Sequence, residues 1–564
     1  MNTEEMKANP GENLFLVVVL TTLAGLFYFL APPGLASNEE GVHYVQMKNF
    51  AVSGSFEIRS PAQSLGFEPA DVTGMRGLLE ARDGRLYAIA PPLFPWVASL
   101  FYPLVGERAV DFTPVLFVLL ATLVMGLILD RLMWRGLLFW LLLSAFLFGS
   151  PVLMQGFEFS GMALALLLIV SALWLLVSHF GDHPSAVKLF GASFLMGASA
   201  LVRMECMLVA ISFCVCAAMV FVSQKRMKEL WSVLAGFVGS LALVCLHDAV
   251  LHGRFPGPYV QLHLPFYELS PVRVAALGGS LALSFVLIIL SLREGIGTIR
   301  KAILSILTLI LVFSSVLLTA ARISVSQLMA LFPAVLLVFY GVPERVERLK
   351  KGEGALEAIL AATVVFCLVL GAAILRPGSW IVFSAWLPMV PFVILLIALE
   401  RKVIFAARGM YIVLAFFCGV AFVNGIQESK DRILKYKDYN AARIAFLEKH
   451  TSAGDAILFG DNASMEHAGP LFFDRVFLAA KSPGDQERLV RRLRERGFDG
   501  IYLWTVNPFH IQRFNPYGGE VPPTFPFPPG SKSCCSGSCR ERNYYLVRFD
   551  TRAVLSPGSG RGGS

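Results

Sequence analysis

The residues able to do chemistry fall into five groups. The pair Glu39-Glu40, in LASNEEGVHYVQMKNF, follows directly on the first apolar run. An acidic pair in that place ordinarily begins a solvated loop, but burial under a helical bundle would raise a carboxylate's proton affinity and suit it as a base. Glu158, in SPVLMQGFEFSGMALA, sits in a short turn before an apolar run, where a carboxylate either meets the helix dipole or serves chemistry. Arg203 and Glu205, in GASALVRMECML, occupy a tight turn between two apolar runs. They read as an ion pair at helix ends or as a guanidinium ready for a phosphate. The stretch LHDAVLHGRFPGPYVQLHLPF carries His247, Asp248, His252, Arg254, Tyr259 and His263. Three histidines and an aspartate could take a divalent metal. Their spacing matches no standard zinc pattern, so the loop reads better as a contact for pyrophosphate or sugar. Arg322, in LTAARISVSQLMALFPA, either snorkels or binds a lipid-linked phosphate. The chain has no Walker A loop, GxSxG elbow or HExxH, so it does not look like an ATP-driven pump or a serine hydrolase.

The elements that must position these groups are membrane helices. The 564 residues are 56% hydrophobic and 16% charged, against roughly a quarter charged in soluble domains, and the mean hydropathy is +0.65. Apolar runs long enough to span occur near 14–31, 112–129, 136–154, 160–179, 187–203, 205–222, 231–251, 273–292, 301–320, 324–341, 355–375, 379–398 and 404–424. These predict about thirteen transmembrane helices. The first is too long for a signal-peptide core and reads as a retained span. Residues 91–106 are apolar but hold Pro91, Pro92, Pro95 and Pro103, and read as a pair of interfacial helices or a re-entrant piece.

Lysine and arginine set the orientation. With a cytoplasmic N-terminus and 91–106 not spanning, alternate short loops hold sixteen basic residues, among them Arg131, Arg135, Lys188, Lys225, Arg226 and Lys228. After the first loop, the opposite connections hold only Arg203, Arg254, Arg273, Arg322 and Arg376. The asymmetry obeys the positive-inside rule and accounts for the net charge of +8 without nucleic acid. The expected organisation is therefore an N-terminus and first helix (1–31), a first extracytoplasmic loop with interfacial helices (32–111), a transmembrane bundle (112–424), a small extracytoplasmic α/β domain (425–550) and a disordered tail (551–564). Strand-like runs at 456–460, 475–480, 500–504 and 544–549, with a helix-like run from Asp485, predict the α/β part. Residues 507–543, rich in Pro, Gly and Ser, read as a loop. Six cysteines lie in apolar runs, whereas Cys534, Cys535 and Cys539 cluster in the polar segment, where a disulfide could form in an oxidising compartment.

In this order the pieces resemble the C-superfamily (GT-C fold) integral-membrane glycosyltransferases, the group that includes protein O-mannosyltransferases and aminoarabinose transferases. The resemblance covers roughly residues 10 to 345. Glu39-Glu40, followed by His43 or Tyr44 and by Gly54, resembles the family's acidic motif after the first helix. DGRLYAIAPPLFPWVASLFYPLVG, with Tyr87, is similar to the end of the same loop. Glu158 resembles the acidic residue opening a later helix, Arg203 and Glu205 the Arg-x-Glu turn, and HGRFPGP an outer loop. The family's Asp is Glu39 here, or Asn38 if the register slips by one, and the histidine often found after the Glu158-type residue is replaced by Phe159 and Ser160.

The resemblance implies sugar transfer from a polyprenyl-phosphate donor to a hydroxyl of a lipid, glycan or protein acceptor, with inversion. The reaction would occur outside the inner (plasma) membrane, amid membrane lipid. Glu39 or Glu40 would be the catalytic base. Arg203, Arg322, Arg254 and His252 would bind the donor phosphate, with Glu158, Glu205 and Tyr87 supporting. It implies no cofactor, though a divalent cation could assist. Two other classes fit the composition. A lipid-linked substrate transporter would need polar residues near mid-bilayer, where these runs are almost uniformly apolar. A non-catalytic envelope-polysaccharide assembly protein would use the outer segment as a binding module.

Overall fold

The structure is a computed structural model that describes residues 10–30, 34–72, 79–82, 84–133, 135–148, 152–181, 184–253, 257, 348, 353–374, 387–399, 423, 433–460, 462–480, 483–506, 532–539 and 542–548. In chain order the elements are α1 (Pro10–Leu30), α2 (Asn38–Ser53), the hairpin β1 (Leu79–Arg82) and β2 (Arg85–Ala88), α3 (Leu93–Ser99), α4 (Tyr102–Val105), α5 (Ala109–Leu132), α6 (Leu137–Leu147), α7 (Met162–Gly181), α8 (Ala186–Ala198), α9 (Met207–Ser223), α10 (Met227–His252), α11 (Ala355–Ile374), α12 (Val390–Leu399), α13 (Lys435–His450), β3 (Ala456–Phe459), α14 (Asn462–His467), β4 (Val476–Ala479), α15 (Pro483–Glu495), β5 (Ile501–Val506), β6 (Lys532–Cys539) and β7 (Arg542–Arg548). Arg322, Arg254, Tyr259, His263, the tail 551–564 and the runs at 273–292, 301–320 and 324–341 lie outside the described residues, as does all but one residue of 404–424.

The chain forms two compact units. One comprises Met1–Ala31, Asp111–Phe157 and Gly161–Asp431; the other comprises Pro32–Val110, Glu158–Ser160 and Arg432–Ser564. The first is helical and belongs to a membrane. Among the described residues four helices are long and apolar enough to cross a bilayer: Tyr102–Leu132, Met162–Gly181, Met204–Ser223 and Met227–His252. Lipid supplies no hydrophobic drive between helices, so they associate by close approach of small residues. Ser193 and Gly197 on α8 and Gly236 and Ser240 on α10 repeat every fourth residue, and so line one face of each helix. Ser193 Oγ donates to the Val233 carbonyl at 2.7 Å. A Cβ on Gly236 would lie 2.3 Å from the Phe190 carbonyl oxygen, and one on Gly197 1.8 Å from Ser240 Oγ.

The second unit is a mixed sheet with helices and the first loop. Strand order is β4-β3-β5-β7-β6. The central strand β3 runs parallel to β4 and β5, and β7 and β6 add antiparallel. All four residues of β3 are buried, as a strand covered on both faces requires. Strand β6 falls within 507–543, the segment expected to be loop. Its Gly- and Ser-rich composition carries little strand propensity, and pairing with β7 supplies the hydrogen bonds instead. The proline-rich run 91–106 becomes two short helices, α3 and α4. Pro92 precedes the first, Pro103 opens the second, and Gly106 at φ 59° stops it.

The first loop is fastened to the rest of its unit at three points. Asn440 Nδ2 donates to the Leu35 carbonyl at 2.8 Å. Asp71 takes Arg488 at 2.7 Å and Arg492 at 3.1 Å. The guanidinium groups of Arg492 and Arg496 sit 4.9 and 4.5 Å from the Phe67 ring centroid.

The small-residue packing of α8 on α10 makes a paired prediction. Gly236→Ala drives a methyl into the Phe190 backbone and is expected to lower stability by about 3 kcal/mol or more. Gly239→Ala, three residues on, meets nothing nearer than 3.7 Å and is expected to be neutral or stabilising by up to about 1 kcal/mol. Thermal unfolding of both variants in one detergent checks the pair.

Candidate functional site

Helix α2 organises the acidic pair. Ser37 caps it, its hydroxyl accepting from the Glu40 amide at 3.3 Å, and Glu40 Oε2 reaches back to accept from the Ala36 amide at 3.0 Å. The Ser37 half is that of a Ser-x-x-Glu helix start, while the glutamate reaches one residue beyond the cap, to Ala36. Gly54 ends the helix at φ 64°. The two glutamates therefore differ: Glu40 is fully buried, whereas the Glu39 side chain keeps 26% of its surface. A proton acceptor for an incoming substrate must be reachable, and only Glu39 is.

Two polar stripes run along α2 from this pair. Glu39, His43 and Gln46 share one face by helical spacing. His43 Nδ1 lies 3.2 Å from the Phe159 carbonyl oxygen. A carbonyl only accepts, so Nδ1 carries the proton and donates, which turns Nε2 toward Glu39 at 3.9 Å. The His43 ring packs edge-on against Phe94 and Phe159. Gln46 Nε2 donates to the Ala90 carbonyl at 3.1 Å. The second stripe is Glu40, Tyr44 and Lys48. Tyr44 donates its phenol proton to Glu107, which also takes Tyr102 at 2.8 Å and Lys48 at 3.3 Å. Burial first, then the Glu107 carboxylate, hold the Tyr44 phenol protonated far above the usual tyrosine range.

The turn Glu158–Ser160 belongs to the same unit as α2, and it meets that helix through Phe159. Glu158 itself is half-buried. Tyr87, on β2, is half-buried opposite Glu80 in the hairpin register. Lys48 and Glu107 were absent from the sequence reading. The i, i+4, i+8 spacing of Glu40, Tyr44 and Lys48 was a visible signal for the first; nothing local pointed to the second.

The helical unit holds a second set. Single 3-10 turns at Ser199–Leu201 and Met204–Cys206 break the chain between α8 and α9 and turn Arg203 inward. Arg203 Nη2 bonds Glu205 Oε1 at 3.1 Å; Glu205 is fully buried and Arg203 nearly so. Gly161 allows the approach, since a Cβ there would lie 2.9 Å from the Val202 carbonyl oxygen. At the end of α10, Asp248 accepts from the Gly257 amide at 2.7 Å and pairs with His247 Nδ1 at 3.0 Å. His252, one turn on, is buried, its ring 6.1 Å from that of His247. Among the described residues no group of three or more His, Cys, Asp or Glu side chains could hold a metal ion. The structure thus gathers Glu39, Glu40, Tyr87 and Glu158 in one unit and Arg203, Glu205 and His252 in the other.

No protein-family model matches the chain, and no curated protein matches its sequence. Solved structures do. ArnT from Cupriavidus metallidurans, in the apo state, superposes with a TM-score of 0.50 at 11% identity, covering 94% of this chain and 97% of that one. The oligosaccharyltransferase of Archaeoglobus fulgidus, crystallised with Zn and sulfate, gives 0.51 at 13% identity over 87% of this chain and 68% of that one. Both are GT-C glycosyltransferases. The chain has the GT-C fold of integral-membrane glycosyltransferases, as its sequence motifs led one to expect.

The division of labour within the acidic pair is open to measurement. Glu40→Ala removes a buried cap and is expected to lower stability by about 2 kcal/mol. Glu39→Ala should stay within about 0.5 kcal/mol of the parent. Thermal unfolding in detergent distinguishes them.

Proposed function

We propose that the chain is a polyprenyl-phosphate-sugar-dependent glycosyltransferase that moves a sugar to an acceptor hydroxyl with inversion. The observation that carries the reading is the contrast between Glu39 and Glu40: one carboxylate is spent on the helix start, and its neighbour is left reachable on a rigid helix. The fold lends support, being shared with an ArnT and an oligosaccharyltransferase.

In this mechanism Glu39 accepts the proton of the acceptor hydroxyl as its oxygen bonds the anomeric carbon. The bond from that carbon to the donor phosphate breaks, and the electron pair leaves with the phosphate. Arg203, Arg322, Arg254 and His252 offset the charge that grows there, an effect often worth several kcal/mol. Glu205 holds the Arg203 guanidinium in one orientation. His43, its Nδ1–H held by the Phe159 carbonyl, sets its Nε2 beside Glu39. Glu158 and Tyr87 have supporting roles.

The same reading sets the topology. About thirteen transmembrane helices run in an inner membrane, with residues 32–111 and 425–550 outside, where the lipid donor and a lipid, glycan or protein acceptor meet. Twelve apolar runs separate the first loop from the last segment, an even number that returns the chain to the same face.

Transfer from polyprenyl-linked sugars extracted from the native membrane, followed by mass spectrometry, tests the proposal. Glu39→Gln should slow transfer by about 10²–10⁴-fold, with the amount of folded protein unchanged. Glu40→Gln should lose stability before it loses turnover. Undiminished activity in both variants would dispose of the base assignment.

A further inference from the structure

Helices α3 and α4 have two unlike faces. The inner face is tied to α2 at two levels. Gln46 Nε2 donates to the Ala90 carbonyl at 3.1 Å just before α3 begins. Phe94, fully buried, sets its ring centroid 5.6 Å from that of His43 and 4.9 Å from that of Phe159. Ala98 and Ser99 are buried one turn on. At α4, Tyr102 donates to Glu107 at 2.8 Å, and the same carboxylate takes Lys48 at 3.3 Å and the Tyr44 phenol. Whatever holds α3 and α4 therefore also holds α2.

The outer face is apolar and open. Trp96, Leu100 and Leu104 keep 46%, 57% and 80% of their surface. They recur every fourth residue, and the backbone stays right-handed helical through the junction at Leu100 and Phe101, so the three fall on one side. Single exposed apolar side chains are ordinary, but an aligned row marks a partner. A helix that faces water carries charge on its outer side, whereas the chain holds no charged residue from Ile89 to Gly106. Leu104 is the third residue of the helical run Tyr102–Leu132, which is long and apolar enough to cross a bilayer. The row is thus continuous in the chain with a membrane span, and tryptophan, at its other end, favours the headgroup level.

We propose that α3 and α4 lie in the bilayer interface, with Trp96, Leu100 and Leu104 among the headgroups and upper acyl chains, and that this seat steadies α2 through Phe94 and Glu107. The occupant of the outer face is a lipid surface. With no charge on the segment, seating comes from buried apolar area and needs no anionic lipid. The proposal does not depend on the sugar-transfer reading, and its test involves no turnover.

Tryptophan quenching in the full chain, reconstituted in phosphatidylcholine nanodiscs, tests it. The difference in emission between the parent and W96F isolates Trp96 from the other tryptophans. Lipid brominated near the glycerol should quench that difference about twofold more than lipid brominated near the chain end. L100S/L104S alters two exposed positions and should reduce the quenching about twofold. By hydrogen-exchange mass spectrometry it should also speed exchange over residues 38–53 about tenfold, with exchange of β3 unchanged as the check on folding. V187S, at an exposed apolar position on α8, should match the parent in both measurements. Stronger quenching near the chain end would mark a re-entrant piece, and no quenching would mark water or a protein partner. Either result, unaltered exchange in α2, or equal effects in V187S would overturn the proposal.

Discussion

The constraint on which the sheet-bearing unit depends is the backbone contact at Gly41. A Cβ there would lie 1.9 Å from the Glu466 carbonyl oxygen, and one on Gly469 would lie 2.7 Å from the Gly41 oxygen. No side chain fits at either position, so α2 lies directly on the chain around α14. Glu39 and Glu40 immediately precede Gly41 and His43 follows two residues later, so this seat fixes the height and direction of every reactive group on the helix. Glu107 holds the next turns by collecting Tyr44, Tyr102 and Lys48 on one carboxylate. The base proposed for sugar transfer would have to meet a hydroxyl to within a fraction of an ångström, and a helix pinned at both levels suits that task.

In the proposed mechanism, function and stability are separated by one residue. Adjacent positions on a helix point about 100° apart, so neighbouring glutamates cannot share an environment. Glu40 faces inward and completes the hydrogen bonding of the first turn; Glu39 faces His43 and keeps part of its surface. The sequence alone left the choice between them open because both are the same residue type at the same boundary. The Ser37-x-x-Glu40 spacing was nonetheless present as a capping signal, and it marks Glu40 as the structural member.

Much of the architecture was readable. Apolar length marked the membrane helices, since a bilayer of fixed thickness demands it, and prolines broke 91–106 into two short helices. Alternating strand and helix signals matched β3, β4, β5 and β7. Strand β6 was not readable, because its residues gain their conformation from β7 rather than from their own preference. Nor could local pattern reveal that Asp71 meets Arg488 and Arg492. Contacts across some four hundred residues leave no periodic trace. For the candidate site, motif order pointed to the acidic pair and to Arg203 with Glu205, whereas nothing local pointed to Glu107 or the carbonyl of Phe159, which the fold brings to α2.

The seat under α2 has a consequence for biosynthesis. Gly41 leaves the ribosome hundreds of residues before Glu466 and Gly469, and at about 5–20 residues per second the interval is on the order of half a minute. During that time the helix bearing both glutamates has no partner at Gly41 and Asp71 has no arginine. The nascent first loop must therefore wait, incomplete, until the intervening chain has been made. Loss of the last part of the chain, by a nonsense codon or a protease, would remove that partner even with the whole membrane bundle intact.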